Sequence, residues 1–320
     1  MLAISEQDIT SAVSVDELTD AMELAFRTYA SGNFLMPDRM HVHSGENTLL
    51  LMPCFMGHSF STKLVSVFPG NTTSNQPVIQ GIVILNDGAT GKPLALLNGP
   101  KLTAMRTAAV GSLGIRFLAD GKADTLGIIG VGVQGVHQAV FACRQRPFRK
   151  LIVFARHSHS LDGFEQETGE LFPDIELIKA KSVEELLEDS RVVIAATSSH
   201  LPVMPDDEGL LKGKCFIGIG SFKPDMREFP RVLYGLVDKI YTDTEFASKE
   251  SGDLVEPLKK AWITKNQVTS LSTLISGKVS LEPNPTKCFK SVGMALFDLV
   301  AADLIYKKAK EKNLGTIVNL

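Results

Sequence analysis

Cysteine is scarce in this sequence, 4 residues in 320. Cys54, Cys143, Cys215 and Cys288 lie far apart among apolar neighbours and form no CxxC or Cys/His set. That argues against a disulfide framework or a zinc site, and for buried free thiols. His41, His43 and His137 have no carboxylates at ligand spacing, so no metal is expected. Dense Lys/Arg runs are missing too. With a formal net charge of −3, nothing predicts nucleic acid or an anionic membrane as partner. No stretch approaches the roughly 18 unbroken apolar residues of a membrane-spanning helix. The first residues lack the basic and apolar regions of a secretion signal, so a reducing cytoplasm is the expected location. What remains is an ordinary soluble composition, 44% apolar and 22% charged. The length exceeds the roughly 250–300 residues at which single cores stop growing, which predicts two domains.

Residues 15–29 put Leu18, Met22, Ala25, Phe26 and Tyr29 on one helical stripe. Short β-like runs follow at 48–53, 61–67, 81–85 and 93–97. Asn86-Asp87-Gly88 and Thr90-Gly91-Lys92 are turn chemistry and predict an antiparallel hairpin between the last two runs. Residues 102–118, rich in Ala, Leu and Met, read as a helix. From residue 124 the texture changes. Apolar runs at 125–130, 150–155, 192–196, 215–219 and 239–242 alternate with helical stretches, the pattern of a doubly wound parallel sheet. A last helix is predicted over 292–309. The expected fold class is α/β, with the parallel sheet as one domain and a second α/β domain assembled from the N- and C-terminal segments. The expected division is 1–115 with 291–320, and 116–290.

The parallel-sheet part opens on G-x-G-x-x-G at Gly130, Gly132 and Gly135. Gly130 permits a tight turn, Gly132 lets backbone approach a pyrophosphate, and Gly135 allows close helix–strand packing. The helix beginning near Val133 offers unpaired N–H groups to phosphate. A strand before the motif, a helix after it and a second strand beyond make this a Rossmann-type dinucleotide site. The second strand ends in Arg156-His157-Ser158, where an NAD site usually carries Asp or Glu. An arginine there would pair with the 2′-phosphate of NADP; stacking on adenine would suit either cofactor. The expectation is NADP(H) in preference, with NAD(H) as the alternative.

The residues then resemble the ornithine cyclodeaminase/μ-crystallin family over nearly the whole chain. The resemblance rests on "STKLVSVFPGN" (61–71), "TGKPLALLNGPKLTAMRTAAV" (90–110), "GIIGVGVQG" (127–135), "AATSS" (195–199), "GSFKPDMRE" (220–228) and "FKSVGMALFD" (289–298), in the family's order. It implies a Rossmann domain plus a second α/β domain that binds substrate and mediates dimerisation. By resemblance, Arg39, Lys63 and Arg106 surround the substrate, with Lys63 catalytic. The chemistry agrees, because an arginine is the strongest clamp for a carboxylate and a buried ammonium shifts its pKa readily. On the cofactor side the resemblance implies Thr107, Gly130, Gly132, Val133, Gln134, Gly135, Arg156, His157, Ser158, Thr197, Ser198, Ile219, Ser221, Ser291 and Val292.

The chain departs from the cyclodeaminases at two positions. They carry an aspartate two residues after the glycine matching Gly220, and this chain has Phe222. A phenyl ring neither takes a proton nor pairs with an ammonium group. Asp225 could substitute, but it is expected to cap the following turn. Val78 stands where cyclodeaminases tend to have threonine. Phe222 and Val78 are expected as apolar pocket walls, favouring a substrate whose far side is a hydrocarbon ring. The expected enzyme is an NAD(P)H-dependent reductase of a cyclic 2-imino acid, acting on a CH–NH bond. Δ1-pyrroline-2-carboxylate would give L-proline and Δ1-piperideine-2-carboxylate L-pipecolate. The alternatives are ornithine cyclodeaminase, alanine dehydrogenase and a μ-crystallin-like NADPH- and ligand-binding protein without turnover. A homodimer is expected.

Overall fold

The structure is a computed structural model that describes residues 1–73, 76–157, 159–169 and 171–319. The chain forms two compact units, one of Met1–Arg106 with Met294–Leu320 and one of Thr107–Gly293. Arg106 and Thr107, consecutive in helix Gly99–Leu118, fall in different units.

The first unit is built on a seven-stranded sheet ordered Thr316–Ile317, Leu2–Ile4, Pro93–Asn98, Ile79–Asp87, Ser59–Val67, Asn47–Met56 and Met40–Ser44. Pairing is antiparallel except between Leu2–Ile4 and Pro93–Asn98. The expected hairpin is present. Asp87 holds its turn by accepting from Thr90 N at 2.8 Å and Thr90 Oγ1 at 2.6 Å. One face of the sheet carries helix Ala295–Glu311, and helix Val15–Ser31 packs against that helix, the two meeting edge to face through Phe26 and Phe297 at 5.0 Å between ring centroids. Ser14 starts the first of these helices with a reciprocal cap, accepting from Glu17 N while the Glu17 carboxylate accepts from Ser14 N. On the other face, Met40, Leu51, Leu64 and Ile82 stand in register across four strands. Met40 is 57% and Ile82 36% exposed, so this apolar row is open to solvent in the single chain.

The second unit is an eight-stranded parallel sheet ordered Val268–Ser270, Ile240–Thr242, Lys287–Lys290, Cys215–Gly218, Val192–Ala195, Thr125–Ile129, Lys150–Phe154 and Glu176–Lys179. Its central strands are buried on both sides, which is why they read as continuous apolar runs. Three of its strands have no counterpart in the runs read from sequence. Lys287–Lys290 is the telling case, because it lies in the middle of the sheet with a lysine at each end. Both lysines are buried, Lys290 completely, and charged ends conceal an interior strand from any hydropathy pattern. All four cysteines are buried and free. Among the described residues no helix is long and apolar enough to cross a membrane.

Candidate functional site

In the second unit, chain order reverses between strands Thr125–Ile129 and Val192–Ala195, the topological switch point at which doubly wound sheets bind ligands. A cleft of about 860 Å³ lies at their ends, bounded by the glycine loop, by Arg156 and His157, and by residues 196–203. Gly130 sits at φ +94°, and a Cβ there would lie 2.7 Å from Ala196 O. A Cβ at Gly135 would collide with Gly130 O. Gly132 is the opposite case. Nothing lies within 4 Å of where its Cβ would be, and it opens helix Val133–Gln145 with no side-chain cap. Open space beside an uncapped helix N-terminus is what a pyrophosphate needs, so the residues present fit a dinucleotide.

Gly130, Gly132, Arg156, His157, Thr197 and Ser198 are brought together around this cleft. Val133, Gln134 and Gly135 form the first turn of the adjoining helix. Ser158 lies outside the described residues. Thr107, Ile219 and Val292 do not line the cleft; the Thr107 carbonyl accepts from Gln138 Nε2 at 3.1 Å. Two of the expected hydroxyls have partners within the protein. Ser221 is fully buried and donates to Met226 O at 2.6 Å beside Ser251 Oγ at 2.7 Å. Ser291 Oγ donates to Asp243 at 2.7 Å, and the same carboxylate oxygen takes the N–H groups of Val292 and Gly293. Both serines take part in loop networks.

The loop 220–228 owes its shape to its own last residue. Glu228 is fully buried and accepts from Thr197, Gly220 and Ser221. Phe222 is 40% exposed, with the Lys223 ammonium 5.9 Å from its ring centroid. Asp225 does not cap the turn; its carboxylate lies 3.4 Å from His200 Nδ1 at the surface.

In the first unit, strand Ser59–Val67 turns Ser59, Ser61 and Lys63 to the covered face. Lys63 is therefore 3% exposed, beneath helix Ala295–Glu311. That helix supplies the counter-charge. Asp298 Oδ2 lies 2.8 Å from Lys63 Nζ, and Asp298 Oδ1 accepts from Arg106 Nε at 3.0 Å. Burial pulls the Lys63 ammonium down to about 8, Asp298 opposes that pull, and the charges of Arg106 and Arg39 add to it. Burial alone would raise the Asp298 carboxyl, but Lys63 and Arg106 outweigh it and hold it below the usual carboxylate range. Burial, and then the Asp298 charge, push the neighbouring Cys54 thiol up to about 12. Two buried cations, Lys63 and Arg106, thus share the carboxylate of Asp298. Val78 is half-buried, and its carbonyl accepts from Phe68 N at 2.8 Å. Among the described residues no group of His, Cys, Asp and Glu lies together in a way that could hold a metal ion.

Asp298 and Glu228 are the residues that sequence reasoning missed. A signal existed for Asp298, the only acid in "GMALFDLVAA", a stretch otherwise apolar on every side of its helix. An acid there needs a buried partner.

Fold and cleft are those of a doubly wound α/β oxidoreductase with a dinucleotide-type site. The chain belongs to the ornithine cyclodeaminase/mu-crystallin family, whose model matches residues 2–313. A Delta(1)-pyrroline-2-carboxylate reductase from Bacillus thuringiensis subsp. konkukian is 33% identical over 325 residues, covering 98% of each chain. The Thermococcus litoralis Delta(1)-pyrroline-2-carboxylate reductase, solved with NADH and L-proline, superposes with a TM-score of 0.93 at 30% identity, covering 99% of this chain and 100% of that one. An archaeal alanine dehydrogenase dimer with bound NAD gives 0.92 at 25% identity, covering 100% and 99%.

Proposed function

We propose that the protein reduces a cyclic 2-imino acid, Δ1-pyrroline-2-carboxylate to L-proline or its six-membered homologue to L-pipecolate, at the expense of NAD(P)H. The observation that carries this reading is the buried Lys63–Asp298–Arg106 cluster with Arg39 beside it. Two buried, preorganised cations that share one carboxylate suit a substrate carboxylate, and Arg106, with the half-buried Arg39 near it, is its clamp. A bound nicotinamide dinucleotide supplies the hydride for C2. Lys63, drawn to about 8, is an ammonium at neutral pH yet weak enough to give up a proton to the imine nitrogen. That proton and the hydride together convert C=N to CH–NH. The names of the Bacillus and Thermococcus relatives support the substrate class. Phe222, without a carboxylate, disfavours an ornithine side-chain amine.

On the cofactor, Arg156 at the end of the second strand suits a 2′-phosphate, and we propose NADP(H) as preferred over NAD(H). The test is a panel following NADPH and NADH oxidation with pyrroline-2-carboxylate, piperideine-2-carboxylate and pyruvate plus ammonia, and NAD(P) reduction or ammonia release with ornithine. Cyclic imino acids are expected to be turned over with the highest kcat/KM, without ammonia. Pyrroline-2-carboxylate handled no better than ornithine or pyruvate with ammonia overturns the reading.

We also propose a homodimer, formed through the open face of the first unit's sheet. Met40, Leu51, Leu64 and Ile82 make an apolar row of the kind that a second copy covers, and the archaeal alanine dehydrogenase is itself a dimer. Light scattering on a sizing column is expected to give twice the mass of one chain, and Ile82→Lys to give one. A wild-type chain that elutes as a monomer at micromolar concentration removes this proposal.

A further inference from the structure

We infer that Glu228 is a positioning residue for the dinucleotide: it clamps the loops leaving two adjacent strands and so sets the surface on which the nicotinamide half is laid. Its Oε1 accepts from Thr197 N at 2.7 Å and Thr197 Oγ1 at 2.9 Å. Its Oε2 accepts from Gly220 N at 2.8 Å and Ser221 N at 3.1 Å. Thr197 follows strand Val192–Ala195, and Gly220 follows its neighbour Cys215–Gly218. The two loops are so close that a Cβ on Gly220 would collide with Thr197 O. Glu228 is anchored from behind. Its N–H donates to Asp253 Oδ1 at 2.8 Å, and the Lys290 ammonium lies 3.5 Å from both Glu228 and Asp253. All three side chains are fully buried.

An apolar residue of similar volume would pack in this place but would orphan four donors, so the charge has a geometric task. The task points at the cleft, because Thr197 and Ser198 line it. Strand Lys150–Phe154, with Arg156 in the loop that follows it, lies on one side of the glycine strand and Val192–Ala195 on the other. In doubly wound folds the end of that second strand takes the adenosine ribose. The Thr197 side is left for the other half. The inference rests on the reading of this cleft as the dinucleotide site.

The test is Glu228→Gln. An amide offers only one oxygen, so whichever loop meets the NH₂ faces donor against donor and is released, while Lys290 keeps Asp253. NADPH and NADH affinity, by fluorescence titration, is expected to fall about tenfold or more, the size of one unmet buried hydrogen bond. ADP-ribose and its 2′-phosphate, by calorimetry, are expected to bind within about twofold of wild type, since they lack the nicotinamide end. Glu228→Asp keeps the charge but is too short to reach both loops, so it shows the same split more weakly and serves if the glutamine variant does not fold. Equal loss of both ligands, or loss of neither, overturns the positioning role alone. A wild-type protein that binds neither ligand overturns the reading of the cleft and this role with it.

Discussion

Replacing Lys63 with methionine is expected to lower kcat/KM for imine reduction by at least about a hundredfold, the lower end of what a positioned proton donor contributes. The pH profile is the sharper measurement. In wild type, Lys63 donates only as the ammonium, so activity is full below about 8 and falls as pH rises through that value. K63M has no such limb. A limb near 8 that survives in K63M assigns the proton to another group and sinks the role given to Lys63. The same shift sets a stability signature. The folded value, about 8, lies below the ordinary 10.5, so the folded chain holds fewer protons than the unfolded chain between them. The contribution of Lys63 to stability is therefore complete above 10.5 and is lost as pH falls through about 8. Urea unfolding across this range is expected to show wild type gaining on K63M by up to roughly 3 kcal/mol as pH rises, the equivalent of the shift.

Asp298→Asn has the second large effect, through charge and not shape. It leaves the Lys63 ammonium and the Arg106 guanidinium buried without their shared anion. Breaking a buried pair from one side typically costs about 3–5 kcal/mol, and a loss of that order is expected in urea or thermal unfolding at neutral pH. Removing Asp298 also removes the attraction that supports the ammonium, while burial, Arg106 and Arg39 remain to oppose it. The high-pH limb of kcat/KM should move below 8, so that the variant begins to lose its proton donor near neutral pH. Asp298→Glu, which keeps the charge, should return the limb toward its original position. A limb that stays near 8 in D298N means that Asp298 does not govern Lys63.

Much of the nucleotide unit was legible in the sequence, and for a physical reason. A strand buried on both faces must be apolar throughout, as Thr125–Ile129, Val192–Ala195 and Cys215–Gly218 are. A turn that brings backbone against backbone admits only glycine, as at Gly130 and Gly135. Lys63 stood out as one lysine in an apolar strand, and the alternation of that strand does bury it. Arg106 stood out among buried-looking neighbours and is itself 4% exposed.

What the sequence determined alone was thus the local and the periodic: the parallel sheet, the glycine loop, the inward lysine, and a family resemblance carried by short motifs in order. Only the tertiary structure decided which charge meets which. Asp298 joins Arg106 across 192 positions of chain, and an acid on a helix ordinarily reads as a solvated one until a strand is laid beneath it. Lys290 is hidden inside a sheet because two carboxylates from other elements approach it. The hydroxyls of Ser221 and Ser291 meet Met226, Ser251 and Asp243, partners that no local pattern announces. A buried charge or hydroxyl is defined by its partners, and those partners are brought to it by the fold from distant parts of the chain.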